Sequence, residues 1–431
     1  MSPMNDEFLK SLSELPFNSL TKSFRFEHDR SLTIKEVVDL RLNIRKGDLD
    51  FPLVTVKESA LSKNIDLMRR YCETHAVKLA PHGKTTMSPQ LFKRQLDAGS
   101  WGITAATPSQ VRMMRSFGVP RILLANVLVD PPAIRWIADE MKEDPALEFL
   151  CYVDSLDAID IMERSLAGSE AQIPILVELG FQGGRTGCRS LTDALAVARR
   201  AAGSPCLRLM GLSGFEGLMP GTSVAEVISA NMIFLANMRR LLVEMNAEGL
   251  LPPETEAVVT AGGSSYFDLV VSELGPHRFD FPVLTILRSG CYVTHDAEMY
   301  ENTSPLAGRS INSQEHRLEQ SIELWATVWS RPEPGLAVVG FGKRDAPYDY
   351  RLPIAQRVYS RDNERDVQGL FECTGLNDQH AFLKIPDADP LAVGDHVVFG
   401  ISHPCGAFDK WRVMCVVDDD YDVIDTISTF F

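Results

Sequence analysis

Two short segments hold the residues whose types and spacing could do chemistry. LAPHGKTTM (79–87) sets His82 and Lys84 directly after an apolar run. A lysine becomes a nucleophile, or forms an imine with an aldehyde, when burial and nearby cations lower its pKa, and a strand end beside His82 offers both conditions. On position alone, a solvated strand-end lysine is the commoner case. ISHPCGAFDKW (401–411) sets His403 and Cys405 two residues apart. In extended backbone such a pair points to one side, so an imidazole and a thiolate can reach the same Zn²⁺. A catalytic zinc generally takes three protein ligands, so water or substrate would have to complete this shell. Spacing alone favours a turn with a buried cysteine.

Three glycine-rich stretches add candidates. VVTAGGSSYFD (258–268) carries Gly262, Gly263 and Ser264, and LRSGCYV (287–293) carries Gly290 and Tyr292. Glycine lets backbone N–H groups close on phosphate oxygens, and hydroxyls add donors, so a phosphorylated ligand is implied. ELGFQGGRTGCRS (178–190) puts Arg185 among glycines, where its forked guanidinium can neutralise a carboxylate or phenolate as readily as sit in a surface loop. Glu178, and Glu216 in GFEG, are further polar groups that either act or brace.

These residues need a frame, and the pattern between about 74 and 292 supplies one. VKLAPHG, WGITAAT, RILLANVL, LEFLCYVD, IPILVELG, LRLMGLSGFEG, AVVTAGGSS and VLTILRSG read as eight strands. Stretches of helical period separate most of them, among them SPQLFKRQLDAG, TPSQVRMMRSFG, PPAIRWIADEMKE, SLDAIDIMERSLAG, SLTDALAVARRAAG and VAEVISANMIFLANMRRLLVEMNAEG. Eightfold alternation with mostly apolar strands predicts an α/β fold, a (β/α)8 TIM barrel. A doubly wound open sheet shares the alternation. The eighth helix, after LRSG, is the least visible. Beyond residue 312 the pattern changes to short strands split by Pro, Gly and Asp, which predicts a second, mainly β domain. The expected division is 1–58 as an N-terminal extension with a strand joining the β domain, 59–292 as the barrel, and 293–431 as the β domain. One helix is expected around LTIKEVVDLRLNI.

Composition narrows the ligand. A net charge of −15 over 431 residues argues against nucleic acid or an anionic membrane as partner and leaves a small anionic ligand in a local pocket. No basic-then-apolar leader or membrane-length apolar run is visible, so a cytoplasmic protein is expected. The eight cysteines follow no CxxC or regular spacing and read as core fillers apart from Cys405. His75, His277, His295, His316, His380 and His396 have no comparable company, and DDDYD (418–422) reads as a solvated loop.

Taken together, these residues resemble the fold-type III pyridoxal phosphate enzymes, specifically the D-serine dehydratase and D-threonine aldolase group, from about Phe51 onward. PHGKT is similar to that family's PHxKT lysine motif, GGRTG to its RxG loop, AGGSS to its phosphate cradle, SGCYV to its GxYV segment and HPC to its metal pair. The resemblance implies that Lys84 carries pyridoxal 5'-phosphate as an imine, with His82 of the same motif among the cofactor residues. It also implies Arg185 beside the ring, Gly262, Gly263, Ser264 and Tyr292 at the phosphate, and Zn²⁺ on His403 and Cys405. Family members often carry a tyrosine where this chain has Phe215. The function implied is a lyase, a D-3-hydroxyamino acid dehydratase releasing ammonia and a 2-oxo acid from a small D-amino acid such as D-serine or D-threonine, working as a homodimer. A D-threonine aldolase is the nearest alternative. The resembling aldolases have an aspartate as second metal ligand, where Cys405 is softer and suited to zinc. An alanine-type racemase and a noncatalytic pyridoxal phosphate carrier are the others.

Overall fold

The apolar runs of the middle of the chain form eight parallel strands in the computed structural model, which describes residues 4, 10–12, 14, 21–25, 31–309, 316–360 and 363–431. The chain divides into two units, each described on its own. The first comprises Met1–Asn5, Met68–Lys84 and Lys93–Gly290, and the second Asp6–Leu67, Thr85–Phe92 and Cys291–Phe431.

In the first unit the strands are β2 (Lys78–Leu79), β3 (Ile103–Ala105), β4 (Arg121–Val127), β5 (Glu148–Val153), β6 (Ile173–Leu179), β7 (Leu207–Gly214), β8 (Ala257–Ala261) and β9 (Val283–Leu287); β1 belongs to the second unit. Their spatial order runs β2-β9-β8-β7-β6-β5-β4-β3. A parallel bridge between His82 and Thr104 joins the two ends, with Thr104 N–H donating to Pro81 O at 2.9 Å and Thr104 Oγ1 to Ala80 O at 2.6 Å. This closure makes a barrel of what the alternation alone left open to a doubly wound sheet. Every residue of β6 is buried, as expected of strands covered on both faces. Ala80, Leu123, Leu150, Tyr152, Leu176, Met210, Val258 and Ile286 fill the interior.

The helices start where the sequence provides a cap. Thr107, Asp130, Ser155, Ser190 and Ser223 each accept a backbone N–H at an N-terminus, a contact worth about 1 kcal/mol. A register shift opposite β6 leaves Met210 as an extra residue in β7, and Gly211 follows it at φ +149°. A Cβ on Gly211 would lie 1.9 Å from Val258 O, so only glycine fits this bulge, which leads into Phe215 and Glu216.

Two helical features depart from expectation. Phe267–Leu274 is a helix that the pattern does not single out, because it is only eight residues long and five of them are buried. Among the described residues after β9 there is no long eighth helix; a 3-10 turn at Cys291–Val293 and a five-residue helix at Met299–Thr303 stand there.

In the second unit β1 (Leu53–Lys57) pairs antiparallel with β10 (Ile322–Glu333) and parallel with β17 (Val413–Val417). The other strands are β11 (Leu336–Val339), β12 (Ile354–Ser360), β13 (Asn363–Asp366), β14 (Glu372–Leu376), β15 (Ala381–Lys384), β16 (His396–Gly400) and β18 (Val423–Ser428). The main path is β13-β12-β16-β10-β1-β17-β18, so the strand at 53–57 lies inside the β sheet. The expected early helix spans Ile34–Asp39, started by a capping box between Thr33 and Glu36. Trp325, Tyr359 and Tyr421 centre this unit's core. Among the described residues, no helix is long and apolar enough to cross a membrane.

Candidate active site

Lys84 stands in a 3-10 turn, Gly83–Thr85, just past β2. It is half-buried and has no hydrogen bond or ion pair among the described residues. Two residues earlier, the barrel-closing bridge fixes His82. Burial above all, then the positive charges of Lys84 and Arg288, hold the His82 imidazole well below its usual pKa, and Arg185 adds to the effect. His82 is therefore neutral, and its Nδ1 is buried without a partner.

Arg288 follows β9 and is the group that sequence reading passed over. It is buried, donating from Nη1 to Thr260 Oγ1 and from Nη2 to Gly214 O, both at 2.7 Å. Its charge acts on His82 and also on Glu178, whose carboxyl burial pushes above the usual range. Glu178 Oε2, like His82 Nδ1, is buried without a hydrogen-bond partner, while Tyr152 Oη and Ser213 Oγ face each other. Two buried, unsatisfied polar atoms within reach of the Arg288 charge mark a place that suits a polar ligand. An arginine directly after VLTIL was the available sign.

The loop after β8 holds Gly262 and Gly263. Gly262 has φ +94°, and the two backbone N–H groups donate to Glu216 Oε2 at 3.0 Å and Oε1 at 2.8 Å. The expected phosphate cradle thus forms an oxyanion site, and in this structure a carboxylate from the segment after β7 occupies it. Of the two roles open to Glu216, bracing is the one observed. Ser289 Oγ ties the same loop through Gly263 O at 2.8 Å. Ser264, next in the chain, is buried. Arg185 is exposed, with its guanidinium 4.5 Å from the Phe215 ring centre, so the phenylalanine standing in the tyrosine position supports an arginine. Tyr292, grouped by its motif with the phosphate residues, is buried in the turn Cys291–Val293 of the second unit.

The second unit also holds the HPC segment. His403 precedes the short helix Pro404–Phe408, and its Nδ1 lies 2.6 Å from Asp349 Oδ2. Cys405 Sγ is half-buried, 3.5 Å from Cys291 Sγ and 3.5 Å from Thr85 Oγ1. Hydrogen bonding to Cys291, then to His403, holds the Cys405 thiol well below its ordinary pKa against the effect of burial. The same contact with Cys405, helped by Asp349, raises His403 to about 9. Asp296 is raised by burial to about 6. All eight cysteines are free thiols. Among the described residues, no three His, Cys, Asp or Glu side chains are already set around a common point to hold a metal.

Comparison with known proteins decides the family. The alanine racemase N-terminal domain model matches residues 56–273, just over half of the chain, and the putative serine dehydratase domain matches 321–417. The chain belongs to the alanine racemase N-terminal domain family. It is therefore a fold-type III pyridoxal phosphate enzyme. Among its relatives, 3-hydroxy-D-aspartate aldolase of Paracoccus denitrificans (strain Pd 1222) is 26% identical over 352 residues, covering 81% of this chain and 86% of that protein. D-threo-3-hydroxyaspartate dehydratase of Delftia sp. (strain HT23) is 24% identical over 345 residues, with 79% and 84% covered. A solved cysteine-to-alanine variant of D-threo-3-hydroxyaspartate dehydratase, in the metal-free form, superposes with a TM-score of 0.71 at 19% identity, covering 90% and 99%. D-threonine aldolase from Filomicrobium marinum superposes with the same score at 21% identity, with 89% and 95% covered. These likenesses carry the barrel with its second, β domain.

Proposed function

We propose that this chain is a pyridoxal phosphate- and zinc-dependent lyase that converts D-3-hydroxyamino acids to a 2-oxo acid and ammonia by β-elimination. The observation that carries the reading is Lys84: half-buried, without hydrogen bond or ion pair among the described residues, at a barrel strand end of a fold-type III enzyme. The unpartnered atoms of His82 and Glu178 and the anion-holding amides of Gly262 and Gly263 suit a polar, anionic cofactor.

When bound, pyridoxal phosphate supplies an aldehyde for the substrate's amine and a ring that takes up the electron pair left at the α-carbon. Lys84 is the residue that would hold the cofactor's aldehyde, and its Nζ is the amine that would serve as base for the α-proton. Neutral His82 adds no second positive charge beside Nζ and keeps a free ring nitrogen for a ligand. Arg288 and Arg185 keep this end of the barrel positive, which suits a phosphate and a substrate carboxylate.

His403 and Cys405 are the residues that would hold zinc, whose Lewis acidity would make hydroxide a tolerable leaving group at the β-carbon. Asp349, bonded to Nδ1, fixes the imidazole so that Nε2 is the nitrogen left to donate. Cys405 favours zinc over the harder cations that an aspartate would suit, and this tilts the reading towards elimination.

Retro-aldol cleavage to glycine and an aldehyde is the second reading, favoured by the aldolases among the relatives. One assay separates the two. The purified protein, supplied with pyridoxal phosphate, is given D- and L-serine, threonine and 3-hydroxyaspartate with and without a chelator. Ammonia and 2-oxo acid are expected from D-substrates, lost on chelation and restored by zinc. Glycine in their place makes the enzyme an aldolase; turnover of L-serine, or indifference to the chelator, removes the metal-assisted reading. Racemisation without ammonia would identify a racemase, and absence of both zinc and turnover a carrier.

A further inference from the structure

The HPC pair provides two metal ligands, and the chain holds a third donor far away in sequence. We infer that Cys291 is a ligand of the proposed zinc, so that the metal sits on two thiolates and one imidazole. The inference rests on the zinc reading above and names what completes it.

Cys291 lies in the turn directly after the barrel chain, 114 positions before Cys405, and its Sγ is 3.5 Å from Cys405 Sγ. Two Zn–S bonds of about 2.3 Å at the tetrahedral angle put their sulfurs about 3.8 Å apart, so the thiols stand close to the separation that zinc imposes. His403 stands two positions before Cys405, with its Nδ1 2.6 Å from Asp349 Oδ2. The three donors do not yet close on one point. The metal would draw the imidazole in, as ligand sets commonly assemble on the ion they bind.

Charge gives a second, independent argument. Cys291 is 3% exposed, and Pro404, Ala407 and Phe408 around the HPC turn are buried. A zinc on one thiolate and one neutral imidazole keeps a net positive charge on its own ligand set and leaves the balance to neighbours such as Asp296 and Asp349, whereas two thiolates neutralise it at the metal. Two thiolates also select the ion, since soft sulfur suits zinc and disfavours magnesium and manganese. The cost is a less acidic metal, and the return is one held more tightly.

The test is made on the full-length, pyridoxal phosphate-loaded protein. X-ray absorption at the zinc edge is expected to count two sulfurs at about 2.3 Å in the wild type and one in Cys291→Ser. Competition with a chromophoric chelator should show the variant holding zinc at least about tenfold more weakly, with its cofactor absorbance intact as evidence of folding. One sulfur in the wild type overturns the role of Cys291 and leaves the two-ligand zinc reading standing; that count needs no variant. Failure of the wild type to take up stoichiometric zinc overturns both. Preference for magnesium or manganese over zinc likewise overturns the two-thiolate set.

Discussion

Two histidines in two regions of this molecule are shifted in opposite directions. At the barrel end, His82 is held neutral by burial and by Lys84, Arg288 and Arg185. In the HPC cluster, His403 is raised to about 9 by its contact with Cys405 and Asp349. The first surroundings are rich in cations and the second in thiols and carboxylates. Charges of those signs would suit an anion at the barrel end and a cation in the cluster, as the proposed phosphate and zinc require.

The contrast is broken most severely at Lys84. Lys84→Ala should cut turnover at least about a thousandfold and abolish the yellow absorbance of the reconstituted protein, while leaving its zinc content unchanged. Loss of zinc together with the colour would show that the two regions do not hold their ligands separately. The converse variant, Cys405→Ser, should keep the absorbance, lose stoichiometric zinc and lower kcat about a hundredfold or more. Elemental analysis beside the spectrum checks both halves.

Glu216→Gln acts inside the barrel end. The carboxylate accepts from one buried and one part-buried N–H group, and an amide there can accept with only one oxygen while turning its NH₂ against the other donor. The expected loss is about 1–3 kcal/mol of unfolding free energy, read from urea titration. If the glycine loop exchanges Glu216 for phosphate when the cofactor binds, this loss should shrink in the loaded protein. A variant equally destabilised with and without cofactor would leave Glu216 as a brace in both states.

These tests also follow the line between what the sequence made legible and what it hid. The eight strands were readable because each is an apolar run of proper length between breaks, and PHGKT and HPC because their neighbours in sequence are their neighbours in space. Arg288, Cys291 and Asp349 were not. Cys291 touches Cys405 across 114 positions and Asp349 reaches His403 across 54, and single long-range contacts leave no period or local spacing to detect. The helix at Phe267–Leu274 was hidden for another reason, since a segment of only eight residues has too few turns for a helical period to stand out. Gly262 and Gly263 were expected to cradle phosphate, but nothing in GGSS says that their amides hold Glu216.

The smallest effect tests the neutral histidine itself. His82 in the unfolded chain takes up a proton near pH 6.5, while in the folded barrel its pKa lies well below that value. Below about pH 6.5 the unfolded state therefore binds more protons, and the folded state loses stability as the pH falls towards the depressed folded value. One proton gives a slope of at most about 1.4 kcal/mol per pH unit. Urea unfolding of the cofactor-free protein at pH 7 and at pH 5.5 should show this slope, and His82→Asn, which cannot titrate, should reduce it. An unchanged slope in the variant would mean that the imidazole takes up its proton in the folded barrel as readily as in the unfolded chain, and the cation-rich surroundings that distinguish this region from the HPC cluster would then have to be compensated by an anion close to His82.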